Sequence, residues 1–173
     1  MSQRSWFLLL VTMALGGAAV YVMSALRTEA GRKRLFPLLR PLMRVINPRV
    51  VRAVERRQSS FGLVHHIGRR SGITYRTPVD VARSSVGVLI SLPYGPETNW
   101  CRNVLAASEC TMTVDGEELT LIQPEVLLTG EVQAMLTPDK MRQWQGEGIA
   151  HYLSLNYAPG TESQAPRAIT AAA

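Results

Sequence analysis

Two short segments of this chain combine residue types that can bind a charged or planar ligand. The first is the stretch Gly68-Arg69-Arg70-Ser71-Gly72, which places two guanidinium groups and a hydroxyl between two glycines. Guanidinium groups and exposed backbone amides in such a loop suit phosphate or carboxylate groups. A basic β-turn without any ligand has the same composition, so both interpretations stay open at this point.

The second segment is Asn99-Trp100-Cys101-Arg102-Asn103. On a helix, side chains three and four positions apart are neighbours, so Asn99, Trp100 and Asn103 are expected to lie close together. The indole could stack on a planar ring while the two amides bond to the polar edge of that ring. The structural alternative is that Trp100 anchors the helix on the core and Asn103 pairs with the backbone.

The sequence contains no pattern typical of a metal site or of a protein nucleophile. His65 and His66 are adjacent on a predicted strand and point to opposite faces, and His151 has no ligand partner at suitable spacing. Gly-x-Ser-x-Gly, Walker and Gly-x-Gly-x-x-Gly motifs are absent. We therefore expect no metal and no hydrolysis by a nucleophilic side chain. Cys101 and Cys110 are expected to be reduced structural thiols in a cytoplasmic domain, or one disulfide in an exported domain.

Short apolar runs, rich in β-branched residues, predict a mainly β domain over 59–158. An Asp-Gly pair between two such runs, Asp115-Gly116, is a strong hairpin signal. Strands are expected over 61–67, 73–81, 86–92, 111–114, 118–122 and 125–128, and helices over 98–107 and 138–155, the second capped by Thr137. This pattern favours an α+β fold built on a small antiparallel barrel, followed by a disordered tail over 159–173.

The order of these segments resembles the deazaflavin-dependent nitroreductase family. The matching features are the loop 68–72, Thr77-Pro78 on the next strand, and Trp100 with the run 103–106 on the helix. The resemblance covers residues 61–125 and leaves the N-terminal part outside. It implies a split, flavin-reductase-like β-barrel that binds coenzyme F420, with FMN as the alternative cofactor and a homodimer as the expected assembly.

The resemblance also implies where the coenzyme would lie. Its phosphate and glutamate tail would bind the arginines, serine and amides of the loop 68–72, and its ring would lie near Pro78 and the helix face of Trp100 and Asn103. Reduced deazaflavin donates hydride, so the protein need supply no nucleophile for a quinone or nitroaromatic acceptor. The expected coenzyme-binding residues are Gly68, Arg69, Arg70, Ser71, Gly72, Arg76, Thr77, Pro78, Asn99, Trp100 and Asn103.

One position departs from the family pattern. An arginine commonly stands three residues before the proline, whereas here Tyr75 occupies that place and Arg76 follows. A shift of one residue on a strand moves a side chain to the other face, so the role of Arg76 stays open. A tyrosine is the expected proton donor to the reduced acceptor, with Tyr94, Tyr152 and Tyr157 as candidates.

An uncharged run of 21 residues, from Trp6 to Leu26, precedes the domain. At ~1.5 Å per residue it matches the hydrocarbon core of a bilayer, so we expect a transmembrane anchor over 1–27. Residues 27–57 contain ten Lys and Arg against two acidic residues, whereas residues 58–173 carry a net charge of −3. The positive-inside rule therefore places the domain in the cytoplasm. The alternative is a cleaved signal peptide, whose apolar region is shorter and whose positive charge precedes it.

The basic segment 28–58 is expected to be helical. Its apolar residues recur with helical spacing, and the prolines at 37 and 41 are unfavourable within a helix. The predicted stripe is Leu35, Leu38, Leu39, Leu42 and Ile46. It would lie at the lipid interface or pack on the core of the domain. The arginines alternate with aliphatic rather than aromatic residues, so no nucleic-acid partner is expected.

The sequence favours a membrane-anchored oxidoreductase that transfers a hydride from reduced deazaflavin to a lipophilic acceptor. Two adjacent arginines suit a polyanionic tail better than a neutral lipid. The second hypothesis is a non-catalytic split barrel that holds a flavin, haem or lipid at the membrane, and the sequence leaves it open.

Overall fold

The structure, a computed structural model, describes Val22, residues 24–55 and residues 61–160. The six strands are β1 (Phe61–Ile67), β2 (Thr74–Arg83), β3 (Gly87–Ser91), β4 (Glu109–Val114), β5 (Glu117–Leu128) and β6 (His151–Tyr157). They pair antiparallel and close into a barrel in the order β1-β2-β3-β6-β5-β4. The helices are α1 (Glu29–Glu55), α2 (Asn99–Ala107), α3 (Thr129–Val132) and α4 (Pro138–Gly146), with a 3-10 turn at Gln133–Met135.

The predicted α+β architecture with an antiparallel barrel is confirmed. Asp115 and Gly116 join β4 to β5 with φ values of 53° and 77°, the two left-handed positions that a type I′ turn requires. The strands predicted over 118–122 and 125–128 are one strand, β5. An irregularity in its pairing with β6, at which Gln123 has a φ of 54°, keeps both halves in the sheet.

The helix predicted over 138–155 is wrong in its C-terminal half. α4 begins as expected, with the Thr137 side chain as its cap, but it ends at Gly146. Gly148 then adopts a φ of 66°, a conformation that glycine reaches without steric cost. The following residues form β6, which lies between β3 and β5 and closes the barrel. Closure pairs two strand edges that would otherwise be open, and this tertiary gain overrides the helical pattern.

The interior of the barrel is filled with apolar side chains from alternate strand positions and from α2. Its buried members are Val64, Val79, Val81, Val88, Ile90, Leu92, Cys101, Val104, Cys110, Met112, Val114, Leu119, Leu121, Leu153 and Leu155. Interiors of this kind are close-packed. A ligand must therefore bind at an end of the barrel or on its outer surface.

A buried arginine attaches the start of α1 to the barrel. Arg32 is 6% exposed and donates hydrogen bonds of 2.6 to 2.9 Å to four main-chain oxygens, those of Leu26, Pro93, Glu147 and Gly148. Several well-placed acceptors offset the cost of burying this charge, which has no carboxylate partner among the described residues. One turn earlier, Glu29 Oε2 lies 2.8 Å from His151 Nδ1, which adds a second attachment on the same side.

The remainder of α1 runs along the outer face of the barrel. Phe36 packs on Tyr94 with 4.8 Å between ring centroids, and Val51 packs on Leu63. The three prolines of this segment lie inside the helix and do not end it. Leu38, from the predicted apolar stripe, is 74% exposed. Leu35, from the same stripe, is half-buried, so the described part of the stripe is covered at one position and exposed at the other.

No helix among the described residues is both long enough and apolar enough to cross a bilayer. The span predicted from Trp6 to Leu26 lies almost entirely outside those residues, as does most of the tail predicted over 159–173. Both therefore stay predictions.

One end of the barrel brings together elements that are distant in sequence. We call it the α2 rim, and the strand ends that form it are Ile67, Thr74, Ser91, Glu109, Leu128 and His151. α2 covers this end and places Cys101 and Val104 in the interior cluster. Arg32 binds the loops that follow β3 and precede β6. The start of α1 and the loop 68–72 therefore lie at the same end of the barrel.

The interior becomes polar at the α2 rim. His66, 7% exposed, and Thr77 face inward because they continue the alternation of Val64 and Val79. His66 Nε2 lies 3.0 Å from Thr77 Oγ1, and His66 Nδ1 lies 3.1 Å from Asn103 Nδ2. An amide nitrogen only donates, so Nδ1 is the acceptor and Nε2 carries the proton. This arrangement requires a neutral imidazole.

We predict that stability depends on pH through His66. Burial, and then repulsion from His65, lowers the pKa of His66 from 6.5 to about 4. Between about pH 6.5 and about pH 4 the unfolded chain therefore binds more protons than the folded chain. The free energy of unfolding falls by roughly 2–3 kcal/mol as the pH is lowered through this range. Urea unfolding of the full chain in detergent measures this loss. His66→Gln, which does not titrate, should lose the histidine component, and an unchanged pH profile in that variant would contradict the prediction.

Candidate functional site

Arg69 connects the loop 68–72 to α2. Its backbone N and its Nη1 both donate to Oδ1 of Asn103, at 3.2 and 2.8 Å. Nη1 and Nη2 also donate to the main-chain and side-chain oxygens of Asn99, at 3.3 and 3.4 Å. These bonds join the arginine loop and the two amides of α2 into one cluster, although the loop and the amides are 30 or more residues apart in sequence.

Asn103 extends this contact into the barrel. Its Oδ1 accepts from Arg69 and its Nδ2 donates to His66, which in turn bonds to Thr77. A continuous hydrogen-bonded chain thus runs from the exposed loop to the interior. Asn103 is 6% exposed, and because both ends of its amide are bonded, its orientation is fixed. Sequence reasoning missed His66 as a site residue, since the strand pattern gives its face but not the amide that lies over it.

The loop is a tight turn in which the amides of Gly68, Arg69, Ser71 and Gly72 are already bonded. Gly68 N donates to Ile73 O at 2.8 Å, and the amides of Ser71 and Gly72 donate to Gly68 O at 3.1 and 2.8 Å. Gly72 has a φ of 66°, which favours glycine. A Cβ on Gly68 would lie 2.3 Å from Ser71 Oγ. Because the amide of Arg69 is also engaged, an anion at this turn would depend on side chains rather than on these backbone amides.

Among the residues that the structure describes, no carboxylate neutralises the charge of the two loop arginines. Within the described ranges, Arg69 donates only to neutral oxygens of Asn99 and Asn103. Arg70 is exposed, and within the described part of the chain it makes neither a hydrogen bond nor an ion pair. By contrast, Arg102, an exposed neighbour on α2, pairs with Glu97. An oriented guanidinium without a counter-ion attracts anions from solution.

β2 divides the predicted site residues between its two faces. Thr77 faces inward, whereas Arg76 and Pro78 point to the outer face, as strand alternation requires. The ring position implied by the resemblance needs Pro78 and Asn103 on one surface, but they lie on opposite sides of this strand. Trp100 is half-buried and packs on the interior cluster, which is the position that the structural alternative predicts.

Tyr75 occupies an inward-facing position at the α2 rim. Its ring stacks on His66 with 5.7 Å between centroids and 22° between planes. Its hydroxyl lies 3.2 Å from Ser71 Oγ, and the residue is 43% exposed. The hydroxyl therefore lies at the surface beside the arginine loop. Sequence reasoning missed this role because only the register of β1 with β2 places Tyr75 opposite His66.

Two of the three tyrosines expected as proton donors lie away from the loop. Tyr152 is buried on the outer side of the barrel against Trp144, and its hydroxyl donates to Ile149 O at 3.1 Å. Burial raises the pKa of Tyr152, which also disfavours proton transfer. Tyr157 is the last residue of β6 and lies at the opposite end of the barrel. Tyr94 is in the loop after β3, at the α2 rim.

The cysteines are free and buried in the barrel interior. Burial raises the pKa of Cys101 to about 11 and that of Cys110 to about 12. Both thiols are therefore protonated at neutral pH and are poor nucleophiles. Among the described residues, no group of three or more His, Cys, Asp or Glu side chains is arranged to hold a metal ion.

Comparison with known proteins gives weak similarities to solved structures. No protein-family model and no curated protein matches the sequence. An F420 reductase matches with 12% identity and a TM-score of 0.42, over 57% of this chain and 86% of that chain. A provisionally assigned pyridoxamine 5′-phosphate oxidase from Listeria innocua matches with 9% identity and a TM-score of 0.44, over 62% and 90%. General Stress Protein 26 from Bacillus anthracis matches with 7% identity and a TM-score of 0.43, over 61% and 89%. Similarities of this size do not assign the chain to a family.

Proposed function

We propose that the protein is an oxidoreductase that binds reduced coenzyme F420 at the α2 rim and transfers its hydride to a lipophilic acceptor, a quinone or a nitroaromatic. The observation that carries the proposal is the pair of loop arginines, Arg69 and Arg70, whose charge no described carboxylate neutralises. A phosphate-and-glutamate tail is a polyanion that complements this charge. FMN, with a single phosphate, is the alternative cofactor.

The residues of the site fit the two parts of such a coenzyme. At the tail, Arg69 and Arg70 supply guanidinium donors, and the loop serine and Tyr75 supply hydroxyls. Asn103 is buried in the hydrogen-bonded chain and cannot reach the ring of the coenzyme. Asn99, the exposed amide beside Arg69, would therefore bond to the ring. The ring would therefore lie over the N-terminal turn of α2 rather than in the barrel, whose interior is filled.

The bound coenzyme supplies the hydride, and the chain supplies binding, orientation and exclusion of water. The protonated, buried thiols described above are consistent with this division of roles, since no protein nucleophile is required. Tyr75, with its hydroxyl at the rim, is the tyrosine that we assign to the site in place of Tyr152 and Tyr157.

The proposed acceptor is lipophilic because of the apolar run that precedes the domain. A span from Trp6 to Leu26 would keep the barrel beside the bilayer, and the basic excess that follows it favours the cytoplasmic side. An acceptor dissolved in the membrane would then be close to the coenzyme. This part of the proposal rests on the sequence alone.

Coenzyme binding can be tested with two exposed arginines, Arg70, which makes no ion pair among the described residues, and Arg102, which makes one. Arg70→Ala should weaken coenzyme F420 binding several-fold or more, because a charge-assisted hydrogen bond contributes ~1.5–3 kcal/mol and exposure reduces that value. Arg102→Ala is the matched control, since Arg102 is neutralised by Glu97 and should leave affinity unchanged. Titration of the full chain in detergent, followed by Trp fluorescence, measures both.

The same titration separates the alternatives. Saturation by FMN or haem, but not by coenzyme F420, would replace the proposal with the non-catalytic or flavin-binding hypothesis. Equal weakening by the two alanine variants would show that the loop charge is not specific, and the proposed tail site would then be wrong.

A second prediction concerns the charge on Arg69. Asn103→Asp keeps the shape of the side chain but places a carboxylate on Arg69, so it should neutralise the guanidinium and lower coenzyme affinity several-fold. It also removes the donor to His66 Nδ1, which should raise the pKa of that imidazole. Asn156→Asp, an exposed amide that bonds to Gln123 and to neither Arg69 nor His66, is the control. Unchanged affinity in Asn103→Asp would argue against the tail site, and NMR titration of the histidines tests the pKa.

A further inference from the structure

We propose that the α2 rim rests on the surface of an anionic lipid bilayer through the tip of the β1–β2 hairpin. The apolar tip consists of Ile67, Ile73 and Tyr75, which are 59%, 58% and 43% exposed. They flank the arginine loop on both sides and lie within nine consecutive residues. Large apolar side chains interleaved with basic ones are typical of a surface that contacts the lipid interface.

The chain enters the barrel at this same rim. Leu26 is the last residue of the predicted span, and its carbonyl oxygen accepts a hydrogen bond of 2.9 Å from Arg32 Nη1. The same guanidinium binds Pro93 O after β3 and Glu147 and Gly148 O before β6. A bonded junction of this kind differs from a flexible linker, which would let the domain rotate freely. The end of the apolar run is therefore held against the α2 rim.

The charge of the α2 rim favours a bilayer that contains anionic lipids. Arg27 follows the apolar run directly and is exposed, and Arg70 is exposed at the hairpin tip. Neither makes an ion pair in the described part of the chain. Basic side chains close to a membrane are attracted to anionic headgroups, and this attraction falls off within a Debye length. An anionic bilayer therefore complements both the apolar and the charged parts of this surface.

Contact of the α2 rim with lipid would fix the orientation of the barrel relative to the bilayer. If the rim faces the bilayer, the surface over α2 opens toward lipid, and an acceptor dissolved in the membrane reaches it without crossing water. This consequence rests on the proposed function, but the orientation itself does not require any coenzyme. A failure of coenzyme binding would therefore leave the bilayer contact intact, and the two proposals can be rejected separately.

The test measures the distance of a probe from the lipid. Two variants are labelled separately with an environment-sensitive fluorophore. One is Ile73→Cys at the tip, and the other is Val86→Cys in the β2–β3 turn at the opposite end of the barrel. Val86 is 58% exposed, which matches Ile73. The native thiols are buried and protonated, so labelling is directed to the introduced cysteine. The full chain is reconstituted, without coenzyme, into vesicles of phosphatidylcholine mixed with phosphatidylglycerol that contain a lipid spin-labelled near the headgroup.

We expect the spin-labelled lipid to quench the probe at position 73 several-fold more than the probe at position 86. The Ile67→Asp substitution, at an exposed position, should reduce the quenching at 73 without affecting the fold. Vesicles of phosphatidylcholine alone should also give less quenching at 73. Equal quenching at both positions, failure of the chain to associate with the vesicles, or energy transfer between the tips of two copies in place of lipid quenching would each overturn the proposal.

Discussion

The arrangement of the α2 rim depends on the side chain of Asn103. Its amide accepts from Arg69 on one side and donates to a buried, neutral His66 on the other, so it joins the loop, α2 and the barrel interior in a single hydrogen-bonded chain. Because Asn103 and His66 are both buried, the orientation of the amide is fixed, and it holds the guanidinium in place without neutralising it. A carboxylate here would bind the arginine more strongly but would cancel the charge that makes the loop a candidate anion site.

The attachment of α1 follows a similar principle. Arg32 is buried among four carbonyl oxygens and pairs with no acidic residue in the described part of the chain. Its bonds connect three segments that the barrel alone would leave separate. Glu29 adds a contact to His151 at the first residue of β6. Together these contacts hold the start of α1 against the loop after β3 and the loop before β6. The strand order places the arginine loop at the same end of the barrel. Leu26, the last residue of the apolar run, thereby lies at the same end of the barrel as the candidate coenzyme site.

The features that could be predicted from sequence are those that a local pattern determines. The Asp115-Gly116 hairpin follows from backbone preferences, and the common face of Asn99 and Asn103 follows from helical spacing. β6 could not be predicted locally, because the closure of a barrel, not the pattern of residues 147–157, decides that this segment extends. The engagement of the loop amides was also beyond local reasoning, since the acceptor for Arg69 N comes from a helix 34 residues away. Tyr75 was missed for the same reason, since strand register alone places it on His66.

The central claim is that the loop arginines bind the anionic tail of a deazaflavin coenzyme. The most direct measurement compares the affinity of the full chain for intact coenzyme F420 with its affinity for the deazaflavin chromophore that lacks phosphate and glutamate, at low and at high salt. We expect the intact coenzyme to bind about tenfold tighter or more at low salt, and the difference to shrink as salt screens the arginines. Equal affinity for the two compounds, independent of salt, would contradict it.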